Sequence, residues 1–121
     1  MDPAKIQKQP SEIDLASLAS LYASVGFGAA GACDLAQLEQ AVSRSLIYIA
    51  LDNVDNTIIG VLRAMSDGAL TTWIAEVIVA PARQRTGVGK QLVETFLEDY
   101  AHTAIYAEAL AGSEVFLSAV A

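Results

Sequence analysis

Two glycines spaced by one residue, Gly87 and Gly89, lie in a short loop between an apolar strand and an amphipathic helix. Because glycine has no Cβ atom, the backbone there can approach a ligand closely. The free amides and the positive dipole end at the start of the following helix favour an anion. Arg83, Arg85 and Lys90 lie beside these glycines, and no acidic residue does. The pattern predicts a binding site for a small polyanion.

Two familiar glycine-rich phosphate loops do not fit these residues. A Walker A loop needs glycine at position 84 and serine or threonine at position 91, where this chain has Gln84 and Gln91. A dinucleotide-binding fingerprint needs glycine at position 92, which is Leu92, and an acidic residue on a following strand at the usual distance, which is missing. A third loop type, Gln/Arg-x-x-Gly-x-Gly/Ala after a Val-x-Val-x-Pro strand end, is matched throughout by residues 84–89.

Through this loop and its setting of strand, proline and helix, the sequence resembles the GNAT superfamily of acyl-CoA-dependent N-acetyltransferases over roughly residues 46–116. The resemblance implies that acetyl-CoA is a cosubstrate and that the loop amides bind its pyrophosphate. The residues implied in that role are Gln84, Arg85, Thr86, Gly87, Val88, Gly89 and Lys90. It also implies that the strand backbone at Val77, Ile78 and Val79 pairs with the pantetheine arm.

The resemblance further implies that an amine attacks the thioester directly, in a ternary complex without an acyl-enzyme. Glu76, the only acid in the strand before the loop, is then the candidate base or amine ligand, and the alternative is a structural partner for Arg63. The family's usual proton donor is the tyrosine of a Phe-Tyr pair, whereas here Leu117 follows Phe116. Tyr106 is the candidate replacement acid if its side chain faces the point where the two strands diverge.

Four other residues have two interpretations each. Tyr22 and Phe27 lie where the first helices of the family wall the acceptor pocket, and core packing is the alternative for both. Cys33 is predicted to pack rather than to act as a nucleophile, because no histidine lies near it in the pattern. His102 lies at the end of a helix, where a dipole or solvent role is more common than catalysis. One cysteine and one histidine cannot form an ordinary zinc site, so no metal is expected.

Hydrophobic spacing predicts the elements that position these residues. We expect an α/β (α+β) fold with a mixed, mostly antiparallel sheet and helices on both faces, whose C-terminal strands are missing or supplied by a partner chain. Residues 1–10 are predicted to be a frayed or edge segment. The predicted elements are a helix from Leu15 with a capping box at Ser11 and Asp14, a helix capped by Asp34, strands over 46–51, 57–65 and 71–79, a helix over 88–100, a strand over 104–110 and a last helix from Gly112.

Length and composition argue against some classes of function and partner. The 121-residue length predicts a single domain over residues 1–121, and a net charge of −7 argues against nucleic-acid and anionic-membrane partners. The polar first residues contain no apolar segment of the kind found in signal peptides, and the single cysteine suits a reducing compartment, so a cytoplasmic location is expected.

The resemblance therefore implies an N-acetyltransferase that acts on a primary amine of a small molecule or peptide. The departure at Leu117 supports an alternative, a CoA-binding or regulatory relative with weak or no turnover. A nucleotide-phosphate binder with another chemistry is a third possibility, since glycine loops recur. An uncovered last strand is a template for association, so we expect a homodimer.

Overall fold

The computed structural model describes residues 4–26 and 34–107. Within them the chain forms five strands and three α-helices, with a short 3₁₀ turn over Pro81–Arg83 before the third helix. The elements are β1 (Lys5–Lys8), α1 (Leu15–Ser24), α2 (Leu35–Ser43), β2 (Leu46–Leu51), β3 (Ile58–Ser66), β4 (Thr71–Val79), α3 (Val88–Tyr100) and β5 (Ala104–Ala107).

The strands form one mixed sheet in the order β1-β2-β3-β4-β5. The first four strands pair antiparallel, and β5 pairs parallel to β4 after the crossover through α3. The predicted mixed, mostly antiparallel sheet is therefore confirmed. Residues 5–8, within the segment expected to be frayed or an edge, form an edge strand on β2.

Helices cover both faces of the sheet, as predicted, and each face has its own core. The core between the sheet and helices α1 and α2 includes Leu18, Leu21, Leu38, Ile47, Ile49, Val61 and Ile78. The core between the sheet and α3 includes Tyr48, Leu62, Ala64, Ile74, Val88, Leu92 and Phe96. A Cβ atom at Gly60 would lie 3.1 Å from the side chains of both Leu92 and Val88. Glycine there lets α3 pack closely on β3, which fixes where the loop before α3 lies.

Aspartate side chains cap the first two helices. Asp14 accepts a hydrogen bond from the Ser17 amide at 3.1 Å, and Asp34 accepts one from the Ala36 amide at 2.8 Å. The prediction of Asp34 as N-cap is confirmed. The capping box with Ser11 at its head is wrong, because Asp14 itself is the N-cap and its oxygen satisfies the first-turn amide.

Several predictions fall outside the described residues: the last part of the fourth predicted strand, the helix from Gly112, and the residues Phe27, Cys33, Phe116 and Leu117. Within residues 4–26 and 34–107, none of the helices has the length and apolar character that crossing a membrane requires.

Candidate functional site

The C-terminal half of β4 presents an edge of backbone groups on the side away from β3. The Ala80 amide donates to the Ile59 carbonyl at 2.9 Å, so by alternation the backbone of Val77 and Val79 faces the opposite side. On that side β5 pairs with β4 only from Thr71 to Ile74 within the described residues. Val77 and Val79, predicted to pair with an extended ligand, therefore lie at this edge.

Ile78 is not brought to that edge. Its backbone faces β3, where its register partner is Val61, and its side chain is buried in the core under α1 and α2. The three strand residues named from the sequence therefore separate by alternation, with Val77 and Val79 on one side and Ile78 on the other.

The loop after β4 is held by its own side chains in a conformation that turns back onto the strand end. Gln84 Nε2 donates to the Val79 carbonyl at 3.1 Å, and the Thr86 hydroxyl donates to the Arg83 carbonyl. The backbone is left-handed at Arg85 (φ 66°) and again at Gly87 (φ 94°). Such alternation makes successive amides converge into an anion-binding concavity.

Gly87 is the N-cap of α3 and has no side chain to cap the helix, so the first-turn amides are left without an internal acceptor. None of the amides from Arg85 to Lys90 has a hydrogen-bond acceptor among the described residues. A Cβ atom placed on Gly87 would meet no atom within 4 Å, so open space faces this point of the loop. Six consecutive amides without an acceptor among the described residues therefore lie at the helix start where the sequence predicts an anion site.

The three cationic side chains of the loop are placed differently. Arg83 forms an ion pair with the buried carboxylate of Asp52, at the start of the turn between β2 and β3. Arg85 is exposed and has no ion-pair partner within the described residues. Lys90 is exposed and lies 3.7 Å from Glu94, a pair whose side chains are both more than half exposed. Arg85 and Lys90 are therefore available to a ligand, while Arg83 is engaged.

Asp52 ties the β2–β3 turn to the loop. Its carboxylate accepts hydrogen bonds from the amides of Val54 (2.7 Å) and Asp55 (3.4 Å) as well as from Arg83. The Val54 amide, and after it Arg83, hold the pKa of this carboxyl below its usual range. A cavity of about 420 Å³ lies between the turn and the loop, and Asp52 and Arg83 both line it. Sequence reasoning missed this pair, which joins residues 31 positions apart.

Glu76 is buried in a cluster with Arg63 and Tyr22. Arg63 binds its carboxylate with two groups, Nε to Oε2 at 2.5 Å and Nη2 to Oε1 at 3.0 Å. The Tyr22 hydroxyl donates to Oε2 at 2.7 Å. Only 4% of the Glu76 side chain and 22% of the Arg63 side chain are exposed. The alternative interpretation, Glu76 as a partner of Arg63, describes the contacts that are present.

A β-bulge places Glu76 in this cluster. The register of β3 on β4 shifts between Arg63, opposite Glu76, and Ala64, opposite Ile74, so that Ala75 is the extra residue. Ile74 packs under α3, whereas Glu76 faces Tyr22 of α1. Without the bulge, alternation would place residues 74 and 76 on the same face, and the carboxylate would lie in the core under α3.

Burial raises the pKa of the Tyr22 phenol well above its usual range, and the neighbouring Glu76 carboxylate adds to this effect. The bidentate hydrogen bonds from Arg63 to Glu76 raise the pKa of the guanidinium. Both effects stabilise a neutral phenol and a charged guanidinium around the carboxylate.

Tyr106 lies on β5, directly opposite Trp73 of β4, and more than half of its surface is exposed. Tyr22 is almost fully buried and contacts Glu76, so its hydroxyl is part of the cluster rather than of an open wall. Phe27, its predicted companion in the acceptor pocket, lies outside the described residues. The roles predicted for Glu76 and Tyr106 in proton transfer stay predictions. No group of three or more metal-ligating side chains occurs in the described part of the chain.

Comparisons with known proteins agree with this architecture. Residues 15–115 match the family model described as the acetyltransferase (GNAT) family. A GNAT-family acetyltransferase from Streptococcus pneumoniae TIGR4 has 28% sequence identity and a TM-score of 0.74, over 95% of this chain and 83% of that chain. No curated protein matches the sequence.

Two more distant solved structures are similar in fold. An aminoglycoside acetyltransferase from an uncultured soil metagenomic sample, in complex with sisomicin, has 22% identity and a TM-score of 0.68, over 94% of this chain and 82% of that chain. An aminoglycoside 6'-N-acetyltransferase complexed with coenzyme A has 16% identity and a TM-score of 0.69, over 85% of this chain and 60% of that chain.

Proposed function

The chain belongs to the acetyltransferase (GNAT) family, and on that premise we propose that it transfers an acetyl group from acetyl-CoA to a primary amine. The observation that carries the proposal is the loop before α3, where the amides from Arg85 to Lys90 have no acceptor among the described residues. A pyrophosphate supplies the oxygens that such a set of amides binds. The similar structure complexed with coenzyme A supports the choice of ligand.

The pyrophosphate and the pantetheine arm of acetyl-CoA each have a counterpart in the described residues. The loop amides bind the pyrophosphate, and Arg85 and Lys90 add charge without first breaking a buried ion pair. The backbone edge at Val77 and Val79 pairs with the amide groups of the pantetheine arm, as one strand pairs with another. This edge leads along β4 towards the bulge at Ala75, so the thioester end approaches the middle of the sheet.

In the proposed reaction the amine attacks the thioester of acetyl-CoA directly. The amine nitrogen, in its neutral form, bonds to the thioester carbonyl carbon, the carbon–sulfur bond breaks, and the sulfur leaves as a thiolate that takes up a proton. Bond formation leaves a positive charge on the nitrogen, which then gives one proton to a base or to water. Holding the amine and the thioester in the reactive orientation lowers the barrier, because it replaces a bimolecular encounter with a step inside one complex. Tyr106 is the candidate donor of the proton to sulfur, and Glu76 is the candidate acceptor from nitrogen.

The contacts of Glu76 support a second candidate, a CoA-binding relative with little or no turnover. Three of the four lone-pair positions of its carboxylate accept hydrogen bonds from Arg63 and Tyr22. A carboxylate held in this way cannot turn towards a substrate without breaking these hydrogen bonds. Binding and turnover must therefore be tested separately.

Calorimetry with acetyl-CoA tests binding, and a thiol-release assay over a panel of primary amines tests turnover. We expect acetyl-CoA to bind and ATP to bind at least about tenfold more weakly, since ATP has no pantetheine arm for β4. Thiol release with any amine of the panel establishes the enzyme, whereas binding without release favours the second candidate. Absence of acetyl-CoA binding would refute both.

The Gly87→Glu variant tests the loop assignment. Its carboxylate would lie in the open space before α3 and repel the phosphates, so acetyl-CoA binding should be lost. Gly68→Glu is the matched control, because Gly68 also has a positive φ (76°) and open space where a Cβ atom would lie, but belongs to the turn between β3 and β4. Equal affinities of the two variants would contradict the assignment.

A further inference from the structure

Three large side chains form an exposed row across three strands. Met65 of β3 is the register partner of Trp73 of β4, and Trp73 is the register partner of Tyr106 of β5. Register partners project from the same face of a sheet. Met65 is 41% exposed, Trp73 42% and Tyr106 53%. We call these three residues the Met–Trp–Tyr row.

The Met–Trp–Tyr row lies on the same face as the Arg63–Glu76 pair and next to it. Met65 and Arg63 are two positions apart on β3, and both contact the Ser45 hydroxyl, Met65 Sδ at 4.0 Å and Arg63 Nη1 at 3.2 Å. Trp73 and Glu76 face that same side because the bulge at Ala75 reverses the alternation between them. Met65 and Trp73 therefore lie next to Arg63 and Glu76, on the same face of the sheet.

The composition of the row is unusual for an open sheet face. An exposed face of an antiparallel sheet is normally polar, whereas tryptophan, tyrosine and methionine are enriched where proteins bind ligands and partners. The faces of tryptophan and tyrosine rings attract cations, and their surfaces stack on other rings. The chain as a whole has a net charge of −7, which favours the approach of a cation.

We propose that the Met–Trp–Tyr row binds the acceptor, and that the acceptor is a primary amine bearing an aromatic ring. This inference rests on the proposed function, because the reaction requires an amine beside the thioester near the bulge of β4. The ring stacks on Trp73 and Tyr106, and the amino group extends along β4 towards Glu76. Because Ala75 is the extra residue of the bulge, Trp73 and Glu76 lie opposite Met65 and Arg63, two residues apart on β3. That separation is about 7 Å at ~3.3 Å per residue, which an aminoethyl side arm and its ring can bridge.

Trp73 provides a direct readout, because it is the only tryptophan in the chain. The probes are 2-phenylethylamine and ethanolamine, which share an aminoethyl group and differ in the ring. We expect 2-phenylethylamine to change the Trp73 fluorescence saturably, in the presence and absence of CoA, and ethanolamine to leave it unchanged at the same concentrations. In the thiol-release assay, the KM for 2-phenylethylamine should be about tenfold lower than the KM for ethanolamine.

Variants of Trp73 separate ring stacking from packing. Trp73→Ala should raise the KM for 2-phenylethylamine about tenfold with little change for acetyl-CoA, and Trp73→Phe should stay within about threefold of the wild type, since it keeps a ring. Val54→Ala is the control for loss of an exposed apolar side chain, because Val54 is 94% exposed in the β2–β3 turn. Tyr106→Phe should leave the KM for 2-phenylethylamine unchanged, because it keeps a ring, whereas Tyr106→Ala should raise this KM.

Several outcomes would overturn the inference. Equal KM values for the two amines, or an unchanged KM in Trp73→Ala, would show that the row does not select the acceptor. A Trp73 fluorescence that depends on protein concentration without amine, together with a dimer that Trp73→Glu dissociates in sedimentation, would assign the row to a second copy of the chain instead.

The proposed function and this inference fail in distinguishable ways. If no amine releases thiol, a saturable fluorescence change with 2-phenylethylamine still supports the row as an amine site, and its absence overturns it. If ethanolamine and 2-phenylethylamine are acetylated with equal KM values, the acetyltransferase activity is established and the aromatic acceptor is refuted.

Discussion

The loop after β4 and the cluster around Glu76 are built on the same strand but in opposite ways. The loop presents backbone amides from Arg85 to Lys90 that have no acceptor among the described residues. In the cluster, Arg63 and Tyr22 occupy both oxygens of a buried carboxylate. Unsatisfied groups at a surface are ready for a ligand, whereas a satisfied buried network stabilises the fold. We therefore expect the loop to bind the ligand and the cluster to stabilise the fold.

The largest expected effect lies in the cluster and concerns stability. Arg63→Ala would leave the Glu76 carboxylate buried without its cation, which should lower the free energy of unfolding by about 3 kcal/mol. Urea unfolding measures it, with Arg44→Ala as the control because Arg44 is exposed at the end of α2. The acetyl-CoA affinity of the folded variant should change less than about threefold. A large loss of affinity at unchanged stability would reverse the roles of the two regions.

The next effect lies in the loop and concerns binding. Arg85→Ala removes an exposed cation that has no ion-pair partner within the described residues, and should weaken acetyl-CoA binding about tenfold at low salt, with a smaller loss at high salt. The free energy of unfolding should change little. Calorimetry at low and at high salt measures the loss of acetyl-CoA affinity and its dependence on salt. An affinity that does not change would exclude Arg85 from phosphate binding.

A smaller effect comes from the Tyr22 hydroxyl. Tyr22→Phe removes a buried hydrogen bond to Glu76 and should cost about 1 kcal/mol of stability near neutral pH. Because the folded-state pKa of this phenol is raised, the unfolded chain ionises first, at a pH of about 10, and the wild type loses stability as the pH rises beyond that value. The phenylalanine variant has no such loss, so the difference between the two proteins should narrow above a pH of about 10. A difference independent of pH would contradict the raised pKa.

The smallest effect concerns the ion pair that joins the loop to the β2–β3 turn. Arg83→Ala and Asp52→Asn should each weaken acetyl-CoA binding by about threefold, and the double variant by no more than either one, since both remove the same contact. Titrations of the three variants test this. A much larger loss for Arg83→Ala than for Asp52→Asn would mean that Arg83 binds the phosphates itself.

The loop was predictable from the sequence because its signal is local. Gly87, Gly89 and the neighbouring cations occur within one short segment, and a helix start orders its amides whatever the rest of the fold does. Strands β2, β3 and β4 were predictable for a similar reason, since apolar β-branched runs bounded by turn residues form them. Strand β1 has one apolar residue, Ile6, among polar neighbours, and a pattern so short does not distinguish an edge strand from a frayed end.

The cluster could be predicted only as an alternative. Tyr22 and Glu76 are 54 positions apart, and no spacing rule connects a helix to a strand at that separation. The bulge at Ala75 has no compositional signature in this sequence, yet it decides which face Glu76 and Trp73 share. The face of Tyr106 depends on its register with β4, which became known only from the pairing with Trp73.

An NMR titration of the ¹⁵N-labelled wild type with acetyl-CoA tests the central claim most directly, because it reports on every amide separately. The amides from Arg85 to Lys90 should show the largest chemical-shift changes, followed by Val77 and Val79, while the amides of Tyr22 and Arg63 change little. Saturation of the loop shifts at one equivalent of acetyl-CoA would bear out the assignment. Shifts concentrated elsewhere, with the loop amides unchanged at saturation, would contradict it.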